Sequence, residues 1–67
     1  MRLASFKKAC YGAYTSPVKL NWAGLAIDIC SVDYCYMVYI NGKLVHIGFN
    51  ADDAWKTVSY KIKHKIY

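Results

Sequence analysis

Residues 36–47 carry the clearest pattern in the chain: Tyr36-Met37-Val38-Tyr39-Ile40, then Asn41-Gly42, then Lys43-Leu44-Val45-His46-Ile47. Two β-rich runs separated by Asn-Gly predict a hairpin with a two-residue type I′ turn, because both turn residues must take φ > 0. Such a turn sets Ile40 opposite Lys43, Tyr39 opposite Leu44, Val38 opposite Val45, Met37 opposite His46 and Tyr36 opposite Ile47. Side chains alternate between the faces of a strand. One face then holds Tyr36, Val38, Ile40, Val45, Ile47 and Phe49; the other holds Met37, Tyr39, Leu44 and His46. A further strand is predicted around Leu25–Ser31. With a reversal at Val32-Asp33, Cys30 lies opposite Cys35, Ile29 opposite Tyr36 and Ile27 opposite Val38. Ile27 and Ile29 then join the Val38/Val45 face, while Asp28 and the two cysteines join the other. The two hairpins agree on which side is the core, which is the consistency expected of a three-stranded antiparallel meander.

Helical spacing follows. Ala51, Ala54, Trp55, Val58, Ile62 and Ile66 form one apolar stripe. Asn50 or Asp52 can cap its start, Asp52 and Asp53 suit the positive end of the helix dipole, and Lys61, Lys63, His64 and Lys65 suit the negative end. The stripe should lie on the Ile27/Val38/Val45/Ile47 face, with Lys56, Tyr60, Lys61, Lys63, His64 and Tyr67 pointing away. Leu3, Phe6, Ala9/Cys10 and Ala13 predict a short helix over 3–13, ended by Gly12 and Pro17; a strand over Val18–Trp22 is an alternative for the segment after it. The expected fold is α+β: a three-stranded antiparallel β-meander with a C-terminal amphipathic helix and a short N-terminal helix (α-β-β-β-α), both helices on one face, in one domain spanning 1–67.

Length and charge narrow the function. A chain of 67 residues buries only about 60% of its unfolded surface, so a multi-residue active site would consume much of a small core. Apolar residues make up 57% of the chain and seven residues are Tyr, so wholesale disorder is excluded. The net charge is +5, distributed as basic ends around a middle that holds Asp28 and Asp33. Lys7 and Lys8 break the initial apolar run after four residues, short of the roughly 7–15 residues of an export signal. No charge-free run approaches the roughly 18 residues of a membrane span. Three cysteines, an odd number, argue against a secreted disulfide framework. The expected location is cytoplasmic, with no membrane association.

The thiol and imidazole residues capable of nucleophilic or metal chemistry are Cys10, Cys30, Cys35, His46 and His64. Cys35 and His46 share a predicted face and could form a thiol–imidazole pair. No third residue orients the imidazole, and no oxyanion element adjoins a cysteine. The expectation is no enzyme and no catalytic residue. Cys30-x4-Cys35 with His46 offers three soft ligands, but structural zinc sites pair their ligands more closely and twice over. No metal or other cofactor is expected. Gly42 and Gly48 are isolated, which excludes a phosphate-cradling loop.

Two binding surfaces remain. Lys56, Lys61, Lys63 and Lys65, interleaved with Tyr60, suit a phosphate backbone track with a stacking side chain, so a DNA- or RNA-binding role is one alternative. Val38 to Phe49, followed by Ala51-Asp52-Asp53-Ala54-Trp55, resembles the strand–turn–strand–helix part of the Apetala/ethylene-response-factor DNA-binding domain. Its members in mobile endonucleases carry a similar I-x-x-N-G-K-x-I-H-L-G-x-F run. That resemblance implies a three-stranded sheet entering the major groove, with Met37, Tyr39, Leu44 and His46 on the reading face and Lys43 by the turn. This face carries no Arg, the side chain of the commonest base contacts. The order α-β-β-β-α also resembles the double-stranded-RNA-binding domain, which places lysines where this chain has Asp52-Asp53.

The other surface is the second sheet face itself. Met37, Tyr39, Leu44 and His46, with Cys30 and Cys35, make an apolar, soft patch typical of a protein interface. It is left open unless the N-terminal segment, with Trp22, folds across it. The main expectation is a stoichiometric binding protein that docks this face on a partner, the positive charge steering it toward an acidic surface. A second copy of the chain is another occupant such a face could take. In its shortness and its wealth of Lys, Ile and Tyr the chain resembles accessory proteins of bacteriophages, which implies a host protein, bound and inhibited or redirected in the host cytoplasm, as the partner.

Overall fold

The computed structural model describes all 67 residues. Helix α1 spans Leu3–Gly12, strands β1 to β4 span Val18–Trp22, Leu25–Val32, Cys35–Ile40 and Lys43–Gly48, and helix α2 spans Ala51–His64. The fold is α+β as expected, but with four strands in the antiparallel order β1-β2-β3-β4. The added strand is Val18–Trp22. Its alternation buries Trp22 and half-buries Val18 and Leu20, while Lys19 and Asn21 face out.

Three tight turns build the meander. The residues between strands are Ala23-Gly24, Asp33-Tyr34 and Asn41-Gly42, and all six have φ between 50° and 82°. Two-residue loops with both φ positive match the right-handed twist of the flanking strands. The Asn41 side chain adds a second tie, since its Oδ1 accepts from the Ala26 amide at 3.1 Å. The Asn41 amide donates to the Ala26 carbonyl at 2.8 Å. The Asn-Gly turn is thereby pinned to β2 as well as closing β3 on β4.

The β2–β3 turn differs from expectation. It falls at Asp33-Tyr34, so Cys30 pairs with Met37, Ile29 with Val38 and Ile27 with Ile40. The slip is two residues, which preserves the face of every side chain. The expected core residues therefore stay in the core, with Ile27, Ile29, Val38 and Ile40 each at most 1% exposed.

The β3–β4 pairing contains the larger correction. Ile40↔Lys43 and Tyr39↔Leu44 hold as expected, but the next pairs are Val38↔His46, Met37↔Ile47 and Tyr36↔Gly48, with an irregularity between Val38 and Tyr39. Val45 is thus an extra residue in β4, a β-bulge. A one-residue slip reverses the faces of everything beyond it. His46 moves to the helix-covered side with Val38, and Ile47 moves to the open side with Met37. Ile47 is 60% and Phe49 75% exposed, so neither belongs to the core as the regular register required.

Both helices cover the same sheet face. Helix α1 lies against β1 and β2, α2 against β3 and β4, and the two helices touch each other. Phe6 and Cys10 of α1, together with Ala13 just beyond it, are buried, with the Phe6 and Trp22 rings 5.8 Å apart. Ala51, Ala54 and Val58 of α2 complete the core, flanked by Trp55 and Ile62. Asn50 caps α2, its Oδ1 accepting from the amides of Asp52 at 2.8 Å and Asp53 at 3.1 Å. Lys65 ends the helix in the left-handed region at φ 54°, and the Ile66 amide closes back on the Lys61 carbonyl at 2.9 Å. Ile66 consequently leaves the predicted stripe and is half-exposed. Trp55 Nε1 donates to the Met1 carbonyl at 3.0 Å, tying the N-terminus to α2.

Candidate functional site

The face of the sheet opposite the helices carries no covering element. The N-terminal segment packs with α2 on the other side, so the alternative in which it closes this face does not hold. Strand register defines what the open face presents. One row runs Lys19, Asp28, Tyr39, Leu44 across β1 to β4, and the next runs Cys30, Met37, Ile47 across β2 to β4. Val32 and Cys35 form a third rung. Leu44, Val32 and Ile47 are 46%, 56% and 60% exposed. The Tyr39 hydroxyl approaches Met37 Sδ at 4.0 Å, a phenol–thioether contact between two side chains of this face. Lys19 and Asp28 are its charged residues, and they are partners across β1 and β2.

Of the four residues expected on this surface, Met37, Tyr39 and Leu44 are there. His46 is not. The bulge turns it under α2, where its Nε2 is buried without a hydrogen-bond partner. Burial holds its pKa below the usual value, against a smaller upward pull from the Asp53 carboxylate. Ile47 takes its place on the open face. The bulge is what sequence reasoning missed, and little in the sequence could mark it: Leu44, Val45 and Ile47 are all apolar, so the residues do not reveal which pair faces out.

The same correction separates other groupings. Cys35 and His46 lie on opposite faces, so the thiol–imidazole pair does not form, and no group of three His, Cys, Asp or Glu side chains is placed to hold a metal ion. All three cysteines are free. Cys10 is buried in the core, and desolvation pushes its thiol up to about 11, which leaves it protonated and unreactive near neutrality. Cys30 and Cys35 are partly exposed on the open face.

The basic flank of α2 is the second surface. Lys56, Tyr60 and Lys63 recur at i, i+4 and i+7 and share one exposed stripe, with the Tyr60 and His64 rings 4.3 Å apart. Lys61 lies more than a quarter turn from each of these at about 100° per residue, and is half-buried. Lys65 sits beyond the helix in its left-handed cap. A shallow cleft of about 380 Å³ lies among Lys56, Thr57, Tyr60, Lys61 and Ile66. Of the five residues expected to form one phosphate track, Lys56, Tyr60 and Lys63 share the exposed stripe, Lys61 meets it only at the cleft, and Lys65 lies beyond the helix.

A tyrosine cluster, spread over three elements in sequence, gathers at one end of the molecule. Tyr14 from the loop after α1 packs on Tyr36 of β3 at a ring separation of 5.4 Å and on Tyr34 of the β2–β3 turn at 6.1 Å. The Tyr14 and Tyr36 hydroxyls are hydrogen-bonded to each other. Burial, and then that bond, raises the Tyr36 pKa well above the usual phenol value. Lys7 of α1 pairs with Asp52 of α2 at 3.2 Å nearby.

No helix is long and apolar enough to cross a membrane. Comparison of the chain with protein-family models, with curated proteins and with solved structures yields no match.

Proposed function

We propose that this chain acts by stoichiometric binding, without catalysis, and that the open sheet face docks on a partner protein. The observation that carries this reading is the uncovered face itself: Met37, Tyr39, Leu44, Ile47 and Val32 form an apolar surface on a body of 67 residues. Leaving such a patch in water is unfavourable, and monomeric proteins rarely keep large ones without a use. Aromatic and methionine side chains are those enriched at interface cores, and lysines suit the rim. The +5 charge adds steering toward an acidic surface on the partner. The compositional likeness to bacteriophage accessory proteins supports a host protein, inhibited or redirected, as the partner.

The test is capture on immobilised protein from nuclease-treated host lysate, wild type against a Met37→Asp/Tyr39→Asp double variant. Both positions face solvent, so the variant should fold. A partner retained by wild type at high salt and lost by the variant supports docking; equal capture by both removes the surface from consideration. Sedimentation of the purified chain asks whether a second copy is the occupant.

A second reading, binding to DNA or RNA through α2, is favoured by the exposed Lys56/Tyr60/Lys63 stripe, with the His64 ring tilted against Tyr60. It predicts affinity that falls steeply with the logarithm of salt concentration. It also predicts loss of binding when Lys61, Lys63 and Lys65 become Glu.

A further inference from the structure

The tyrosine-lined end of the molecule contains a cleft of about 570 Å³ between Tyr14, Ser31, Asp33 and Tyr34. It lies beyond the sheet end, apart from the open face, and three features of it are those of a built site. The Tyr14 and Tyr34 rings stand 6.1 Å apart at an interplanar angle of 60°, making a corner. A charge in that corner lies within about 6 Å of both centroids, the range over which a ring face attracts a cation. Tyr14 is held in place from below by the buried Tyr36, through ring contact and the hydroxyl–hydroxyl bond.

Tyr34 is the second feature. It occupies the left-handed region at φ 66° and is 76% exposed. Gly or Asn is the residue a two-residue turn favours there. A bulky residue with φ > 0 carries a conformational cost. The ring makes no buried contact that would offset this cost, and its packing is against Tyr14.

Polar groups supply the third. The Asp33 carboxylate has no ion-pair partner in the chain, whose one salt bridge joins Lys7 to Asp52. Ser31 lines the cleft, with its Oγ itself buried beneath the surface.

From this arrangement we propose that the corner binds an organic cation of the alkylated-ammonium class, with Tyr14 and Tyr34 as its walls and Asp33 as its counter-charge. A primary ammonium needs three acceptors to replace its water. The corner offers one carboxylate beside two ring faces. A quaternary head group needs no acceptors and gains from both the faces and the charge. The same head group occurs on free choline and on trimethylated lysine, and the cleft is open enough for either.

The test is an NMR titration of the full chain with choline, with a short trimethyllysine peptide, and with the neutral carbon isostere of choline, all at constant ionic strength. Saturable shifts at Tyr34, Asp33 and the Tyr14 ring are expected with the cations, and none of them with the isostere. A peptide that binds more tightly than choline identifies a modified protein as the source; equal binding identifies the small molecule. Tyr34→Gly should raise the melting temperature by relieving the turn, yet lose the cation shifts. Asp33→Asn, which suits the same turn, should weaken binding several-fold. Shifts that also occur with the isostere, that persist in Tyr34→Gly, or that are absent in the wild type would each overturn the proposal. The docking face plays no part in any of these readouts.

Discussion

The bulge in β4 can be tested by exchanging the chemistry of two adjacent residues. His46 is half-buried under α2 with an unsatisfied Nε2, whereas Ile47 is 60% exposed on the open face. A buried polar atom left without a partner costs about 1–3 kcal/mol. His46→Leu removes that atom while keeping a side chain of similar bulk, so a stabilisation of about 1–2 kcal/mol is expected. For a domain of this size that corresponds to a rise of roughly 4–16 °C in melting temperature. Ile47→Lys should leave stability within about 0.5 kcal/mol of wild type, as at other exposed positions. The regular register predicts the reverse: Ile47→Lys would bury a charge and unfold the chain, and His46→Leu would merely expose an apolar residue. The pH dependence provides an independent readout. Because burial lowers the folded-state pKa of His46 below the usual value near 6.5, the unfolded state binds the proton first as pH falls. Stability contributed by the neutral ring is full above the unfolded pKa and is lost between that value and the lower folded one. Asp53 softens this loss without reversing it. Thermal unfolding followed by circular dichroism between neutral and mildly acid pH should show a decline for wild type that is absent in His46→Leu. A His46→Leu protein that melts lower than wild type and keeps the acid decline would refute both the bulge and the role given to Nε2.

Two further outcomes follow from the structure. Asn50→Ala should cost about 1 kcal/mol in chemical denaturation, because the amides of Asp52 and Asp53 lose their acceptor at the start of α2. Thiol labelling under native conditions should modify Cys30 and Cys35 quickly and Cys10 only on unfolding, since Cys10 is fully buried with its thiol held protonated; three equally fast thiols would mean that α1 does not seal the core.

Much of the architecture was legible in local pattern. Asn41-Gly42 gave the hairpin because few residues accept two consecutive positive φ angles. The cap at Asn50 and the stripe Ala51/Ala54/Val58 gave α2. Even the two-residue error at the β2–β3 turn did no harm to the core assignment, because side-chain direction repeats every two residues. That turn was misplaced because Asp33-Tyr34 lacks the usual glycine: a tyrosine at φ 66° is a choice that propensity argues against. Met37, Tyr39 and Leu44 lie on the open face as the alternation predicts, and His46 does not, because the bulge turns it under α2.

Alternation and helical spacing are properties of neighbouring residues, so the chain alone determined β2, β3, β4 and the two helices and which side of β2 and β3 is dry, while Val18–Trp22 became a strand only by pairing with β2. It could not determine the bulge, because Val45, His46 and Ile47 satisfy the Asn-Gly turn in either register. Tertiary packing decided that one: α2 takes both Val45 and His46, and β4 yields Ile47 to the open side. Where α1 lies was likewise a matter of packing. An amphipathic helix can cover either face of a sheet, and Phe6 found Trp22 on the side that α2 already shared. The tyrosine corner depends on three elements meeting at one end, which no local periodicity encodes.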